Sequence, residues 1–375
     1  MEQQRAIIET SLTFFKVLGI HPLKTLRKIP VLCLISSHLI LFALVCLRFF
    51  YEKITFGLIS DTFESTFTIV HVLAKFITLV IIKPTIKKLF ETTNTFWLGK
   101  TFQKEFRHEV DADLRTLGLL LRLFLFFVSI VIVTFAIRPI FDDTLAIHCY
   151  VPEFIPRAIF IVFNNAVFAV SAFAVGSFDM FVCVMVVLIT VQFKILNYSI
   201  LGLDLGKVVT ENDEKLCQKK IKIIVDYHDF LDRYLAKVSS IVSPALLVYF
   251  TIAPIVLCFE LFFMSKSSNF AEIAKSCVYI LGIVIELFFF FCLPATYLMV
   301  QTQLMITTVY NSGWENCYFL SVRKSLIIMM QRMQKETLLT AGKMIKINLE
   351  TCTNAFRMAL SFYTSLQILD DKSRE

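Results

Sequence analysis

The chain has 375 residues, of which 57% are hydrophobic and 18% charged, against roughly 45–50% and about 25% in soluble proteins. With a mean hydropathy of +0.72 and 39 phenylalanines, a water-soluble particle of this size has too few polar side chains to cover its surface. Ten glycines and nine prolines exclude collagen and low-complexity linkers. The composition is that of an integral membrane protein.

The first 29 residues are mixed and basic and lack the apolar core and cleavage site of a secretory signal, so the first span should act as an uncleaved signal-anchor. A helix needs about 20 apolar residues to cross the hydrocarbon core. Seven runs qualify: 30–50, 62–82, 118–138, 158–196, 240–263, 275–299 and 349–369. They are continuously apolar rather than alternating, which argues against a closed barrel. The fourth is too long for a simple crossing and reads as one tilted helix that starts outside the membrane and ends in cytosol. The seventh is marginal, since it contains Glu350, Asn354, Arg357, Ser361, Ser365 and Gln367. An amphipathic cytosolic helix is the competing reading for it.

The net charge of +7 becomes informative through its placement. Connections 1–29, 83–117, 197–239 and 300–348 hold 25 of the 37 Lys and Arg residues, whereas 51–61, 139–157, 264–274 and 370–375 hold five. Cytoplasmic loops carry the basic excess. The expected architecture is an all-α membrane protein with seven transmembrane helices, a cytosolic N-terminus and an external C-terminus. Residues 1–299 form a six-span region, 300–348 a cytosolic anchor segment, and 349–375 the seventh helix with its external tail. Two cytosolic stretches have one-sided apolar faces at helical spacing. One is Phe319, Val322, Leu326, Met329, Met330 and Met333; the other is Leu216, Ile223, Ile224, Tyr227, Phe230, Leu231, Tyr234 and Leu235. Both need burial, on the inner leaflet or in a cytosolic helical bundle. The external connections are too short for a binding domain, so an external ligand must be caught among the spans.

Enzyme and nucleotide motifs are missing, His21, His38, His71, His108, His148 and His228 show no ligand spacing, and no cofactor is implied. Basic residues are explained by topology, so nucleic acid is not an expected partner; the lipid bilayer is. The ten cysteines form no C-x-x-C pair; one external bridge, Cys149 to Cys277, stays open. Charged groups inside spans are costly and need a reason. Glu64, His71, Lys75, Glu286 and Arg357 are such groups; either some of them are pocket or pore residues, or Lys75, Glu286 and Arg357 each make an interhelical ion pair or hydrogen bond. Arg48, Arg122 and Arg138, near span ends, should snorkel.

The outer halves of four spans offer an aromatic constellation: Phe67, Val70 and His71; Ile130, Val133, Thr134 and Ile137; Phe160, Phe163, Asn164 and Phe168; Tyr279 and Ile283. An aromatic-lined cavity with a few polar groups suits a small, volatile, largely apolar ligand. For any single phenylalanine among them, ordinary packing of a Phe-rich membrane core is the simpler reading. On the seventh span Asn354, Met358, Ser361 and Ser365 form a narrow stripe, which several copies around an axis could turn into a pore. The external segments carry nine acidic residues, Asp143, Asp370 and Glu375 among them, against five basic ones, a balance that would concentrate cations at such a mouth.

The C-terminal pattern resembles that of the insect odorant receptors. It runs from Tyr310 to Trp314 through Arg332, Met333 and Gln334, Ala341 and Gly342, Leu349 to Thr351, and Ser361 to Tyr363, then Leu366. Asp179, Gln192, Phe193 and Leu196 fit too, while Glu336 and Cys352 stand where many members have Pro and Phe. The resemblance implies a subunit of a heteromeric, tetrameric, ligand-gated non-selective cation channel that shares a co-receptor subunit. It implies a plasma-membrane location in the sensory dendrite, small volatile odorants bound in the outer half of the membrane, and a last helix that lines the pore through Ser361, Ser365 and Leu369. The connection 197–239 lacks the co-receptor's longer loop, which points to an odorant-specific subunit. A gustatory receptor channel of the same superfamily, a metabotropic heptahelical receptor and a solute carrier are the competing classes. Asn197, Tyr198 and Ser199 form the only glycosylation sequon, which the charge pattern places in cytosol.

Overall fold

The computed structural model describes residues 2–374 except 23, 54–55, 98–103, 143–144, 204, 206–207, 268–269 and 336. Expectations placed on Asp143, Glu336 and Glu375 lie outside the described residues. The elements are α1 (Glu2–Val17), α2 (Lys28–Tyr51), α3 (Phe56–Thr92), α4 (Lys104–Asp142), α5 (Arg157–Leu201), α6 (Glu211–Lys266), α7 (Phe270–Val284), a π-helical segment (Ile285–Cys292), α8 (Leu293–Tyr310), α9 (Leu320–Met333), a hairpin β1 (Thr340–Ala341) and β2 (Ile345–Lys346), and α10 (Leu349–Arg374). Among the described residues, six helices are long and apolar enough to cross a membrane: α2 to α6, and the continuous run from α7 through α8.

α5 is the axis of the bundle. From Ala174 to Ile200 nearly every residue is buried, which explains its continuous hydrophobicity: a helix wrapped on all sides has no polar face. α6 is the longest element at 56 residues, about 84 Å at 1.5 Å per residue. Its start is fixed by a reciprocal cap, in which Thr210 Oγ1 accepts from the Asp213 amide (3.2 Å) and Asp213 Oδ2 accepts from the Thr210 amide (2.9 Å). Acidic Glu211, Asp213 and Glu214 suit the positive end of the helix dipole.

α10 falls short of the hydropathy of the other spans, as its sequence suggested, yet it runs the length of the fifth span. At one end the hairpin leading into it is bonded to α6, with the Gly342 amide donating to the Ser243 carbonyl (3.0 Å) and the Thr340 amide to Ser239 Oγ (3.2 Å). At the other end Lys266 pairs with Asp370 at 2.6 Å. Its inner face is small, formed by buried Cys352, Ala355 and Ala359, which lets the backbones approach closely where lipid gives no hydrophobic drive. Residues from Asp370 to Arg374 continue this helix, so the expected tail is part of it. The chain has the seven-span fold, with an added N-terminal helix that the hydropathy did not announce. α1 is packed on α4 and α5 through buried Phe14 and Phe15.

Beyond the spans, the lower parts of α3, α4, α5 and α6 join α8 and α9 in a second bundle. α9 buries Val322, Leu326, Met329 and Met333, four of its predicted apolar face. On α6 the buried set includes Ile224, Tyr227, Leu231, Tyr234 and Leu235, but Leu216 and Ile223 are exposed. The anchor segment is not wholly helical, because the hairpin interrupts it. Its turn needs left-handed backbone at Gly342 (φ 61°) and Lys343 (φ 59°), and a Cβ at position 342 would meet Leu247 side-chain atoms at 2.6 and 2.8 Å. Both thiols of the open bridge are free, with Cys149 buried and Cys277 exposed.

Gly342→Ala should cost on the order of 1–3 kcal/mol through backbone strain, added to the clash with Leu247. Thermal unfolding in detergent should move to a lower temperature, and wild-type unfolding of this variant would refute the tight packing of the turn.

Candidate ligand-binding site

Five helices leave a cavity of about 190 Å³ between them, room for a body on the order of ten non-hydrogen atoms. It lies in the half of the bundle nearest the α2–α3, α4–α5 and α6–α7 connections. Its wall is apolar and aromatic: Phe67 and Val72 from α3, Phe124, Phe127, Val131 and Phe135 from α4, Phe168 and Val175 from α5, Tyr249, Ile252 and Val256 from α6, and Val278, Tyr279 and Ile283 from α7. Gly176 also lines it; a Cβ there would meet the Phe124 ring at 3.3 Å, so the glycine lets that ring lie flat on α5.

The floor is charged. Lys75, fully buried, sits between Asp179 Oδ1 at 2.5 Å and Glu286 Oε1, with which it forms a second ion pair. His71 Nε2 lies 3.4 Å from the same Glu286 oxygen, and its ring is 4.9 Å from that of Tyr249. The Lys75 ammonium also stands over Tyr249 (4.7 Å), Phe291 (5.3 Å) and Phe178 (5.5 Å), rings whose faces attract a cation. Arg357, the third of these charged groups, is exposed on α10 and takes no part; the second carboxylate is Asp179. Glu286 is the second residue of the π-helical segment, which lies just before Pro294. Proline lacks the amide hydrogen and its ring crowds the carbonyl four residues earlier, and a widened turn relieves both.

Nearer the connections a second polar group accounts for Glu64. Lys275 donates to Glu64 Oε2 at 2.6 Å and to His148 Nε2 at 3.3 Å. Burial, then the charges of Lys275, Arg138 and Arg48, hold the loop residue His148 well below the usual imidazole range, so it is neutral and can accept that bond.

Of the residues singled out from the sequence, Phe67, His71, Phe168, Tyr279 and Ile283 line this cavity. The others require correction. Ile130, Val133, Thr134 and Ile137 are exposed on the outer side of α4, and the cavity face is Phe124, Phe127, Val128, Val131 and Phe135. Both faces of α4 are apolar, one toward lipid and one toward the cavity, so hydropathy does not distinguish them; an offset of one residue turns the face by about 100°. Val70 is exposed on α3 for the same reason. Phe160, Phe163 and Asn164 lie above the cavity, where the α4–α5 connection folds back. Asn164 Oδ1 accepts from the Ile147 amide and its Nδ2 donates to the Ile147 carbonyl, both at 3.0 Å. Phe160 is buried with Leu145, Ile147 and Cys149 in the cluster that this loop forms. Sequence reasoning missed the α6 wall altogether, although Tyr249, Ile252, Ala253 and Val256 repeat at one-faced helical spacing. On α10, Ser361, Ser365 and Leu369 all face away from the bundle, with Asn354 and Met358.

The sequence profile described as "7tm Odorant receptor" matches residues 55–360. The chain belongs to the seven-transmembrane odorant receptor family. It is 25% identical to Odorant receptor Or2 of Anopheles gambiae over 148 residues, which is 40% of this chain and 39% of that one. It is 26% identical to Odorant receptor 83a of Drosophila melanogaster over 149 residues, 39% of this chain and 32% of that one. The matched part therefore spans about two-fifths or less of these curated relatives. In fold, the chain is similar to the insect olfactory receptor OR5 from Machilis hrabei in complex with eugenol, with a TM-score of 0.84 over 98% of this chain and 99% of that one at 15% identity. A second structure of the same receptor gives 0.83 over 96% and 97%. This is a family of receptors and not of enzymes. The sequon of this odorant receptor family member is closed off, because Asn197 is buried and donates to the Gln301 carbonyl at 2.9 Å.

Lys75→Met leaves two buried carboxylates without their cation and should cost on the order of 3–5 kcal/mol. Surface biotinylation should show most of that variant retained inside the cell, and the triple change with Asp179→Asn and Glu286→Gln should restore delivery. A single variant delivered at wild-type levels would contradict the ion-pair assignment.

Proposed function

We propose that this chain is an odorant-specific subunit of a heteromeric, ligand-gated, non-selective cation channel in the plasma membrane of olfactory neurons, where it assembles with a shared co-receptor. The observation that carries this reading is the aromatic cavity, in a member of the odorant receptor family, whose floor reaches the base of the seventh helix. Glu286 lines the cavity and lies in the first turn of the π segment. That segment touches α10, and the Leu349 amide at the start of α10 donates to Thr296 Oγ1 on α8 at 2.9 Å.

On this reading the basic ends of the helices are cytosolic, the cavity lies in the outer half of the membrane, and small volatile odorants occupy it. Residues 1–299 hold the pocket, the segment 300–348 joins subunits as an anchor, and 349–375 supply one wall of the pore. The outward face of α10, with Ser361, Ser365 and Leu369, then meets the equivalent faces of neighbouring subunits. A ligand opens the gate only as far as it prefers the open arrangement of these helices.

Expressed with the co-receptor in oocytes, the chain should give odorant-evoked cation current that persists under G-protein inhibitors. Lack of current across a broad odorant panel, with the subunit at the surface, would defeat the proposal. Ser365→Phe should reduce single-channel conductance severalfold while leaving the odorant concentration for half-maximal response within threefold. Unchanged conductance would remove Ser365 from the pore.

A further inference from the structure

Resting on the reading of this chain as an odorant-gated subunit, we propose that its cavity is tuned to small apolar ligands bearing a protonated amine, with Asp179 as the acceptor for the ammonium group. Asp179 is fully buried and lines the cavity floor. Its Oδ1 is taken by Lys75, whereas Oδ2 has no hydrogen-bond partner among the described residues. Buried polar atoms are nearly always partnered, and a carboxylate oxygen facing an open cavity is partnered by whatever donor enters that cavity.

Charge selects the kind of donor. Two carboxylates, Asp179 and Glu286, share one ammonium, Lys75. An uncompensated charge enclosed by hydrocarbon is costly. A cationic head group supplies the second counter-charge that lets both carboxylates be ionised at once, and it also donates to Oδ2. A hydroxyl only donates, and an ester does neither. The aromatic wall favours the same head group, since Tyr249 lines the cavity beside the Lys75–Asp179 pair and ring faces attract cations. Lys75 shows this chemistry already at work, because its ammonium is held by the same two carboxylates against the ring of Tyr249. The volume of about 190 Å³ limits the ligand body to one ring or a short branched chain.

The test is a matched series on the full chain co-expressed with the co-receptor: 2-phenylethylamine and two further arylalkylamines, the corresponding alcohols, and the corresponding methyl esters. At least one amine should activate at a concentration tenfold or more below its alcohol, with the ester weaker still. Asp179→Asn leaves Lys75 and Glu286 as a balanced pair; it should raise the half-maximal amine concentration at least tenfold and shift the alcohol less than threefold. Equal potency of every amine and its alcohol overturns the inference, as does a parallel loss for both ligands in Asp179→Asn. If that variant fails to reach the surface, the wild-type series decides alone. Current with the alcohols or esters and no amine preference leaves the channel reading standing, whereas silence to these and a broad odorant panel, with the subunit at the surface, overturns both.

Discussion

A single lysine ammonium holds together three helices that the chain visits far apart. Lys75 on α3 reaches Asp179 on α5 and Glu286 in the π segment, and all three side chains are buried, so withdrawing one partner leaves a buried charge uncompensated. The geometry of the cavity depends on this contact. It fixes the rotation of α3, so that His71, one turn away, faces inward, and it fixes the widened turn that presents Glu286. The aromatic wall is permissive by comparison, since one ring can substitute for another of similar volume.

A second layer of order lies above the cavity. Asn164 closes both hydrogen bonds of the Ile147 peptide, the His148 amide donates to Ser65 Oγ at 3.1 Å, and the Tyr150 amide donates to the Leu44 carbonyl at 3.1 Å. The α4–α5 connection is therefore built into the bundle instead of lying over it. Its backbone amides are satisfied by α2, α3 and α5, which a loop entering an apolar environment requires. The first turns of α5 serve this loop and not the cavity, which is why Phe160 and Asn164 sit where they do.

The span pattern was legible because lipid imposes length and apolarity directly on the sequence. The fourth run, read as one extended helix, is α5 from Arg157 to Leu201, and the one-faced periodicity of 319–333 is the buried face of α9. Rotational register was far less legible. Around α4 the lipid-facing Ile130 and the cavity-facing Val131 are chemically alike, so nothing in composition separates them. The charged floor was half visible: Lys75 and Glu286 drew notice as polar groups in apolar runs, while Asp179 entered only as part of a family pattern. Their meeting joins positions more than one hundred residues apart, which no local pattern encodes. α1 escaped notice because its apolar residues are too few for a span and are buried against α4 and α5.

The length of α6 has a mechanical consequence. This one rod carries Tyr249 and Val256 in the cavity wall and starts at Glu211, at the far exposed edge of the second bundle. From Tyr249 to Glu211 is about 57 Å at 1.5 Å per residue. If the rod stays stiff, a tilt of about 3° beside the cavity swings its far tip by about 3 Å, comparable to the helix shifts by which switching proteins change state. A displacement too small to alter the cavity noticeably can thus be magnified by leverage where the long helices come together.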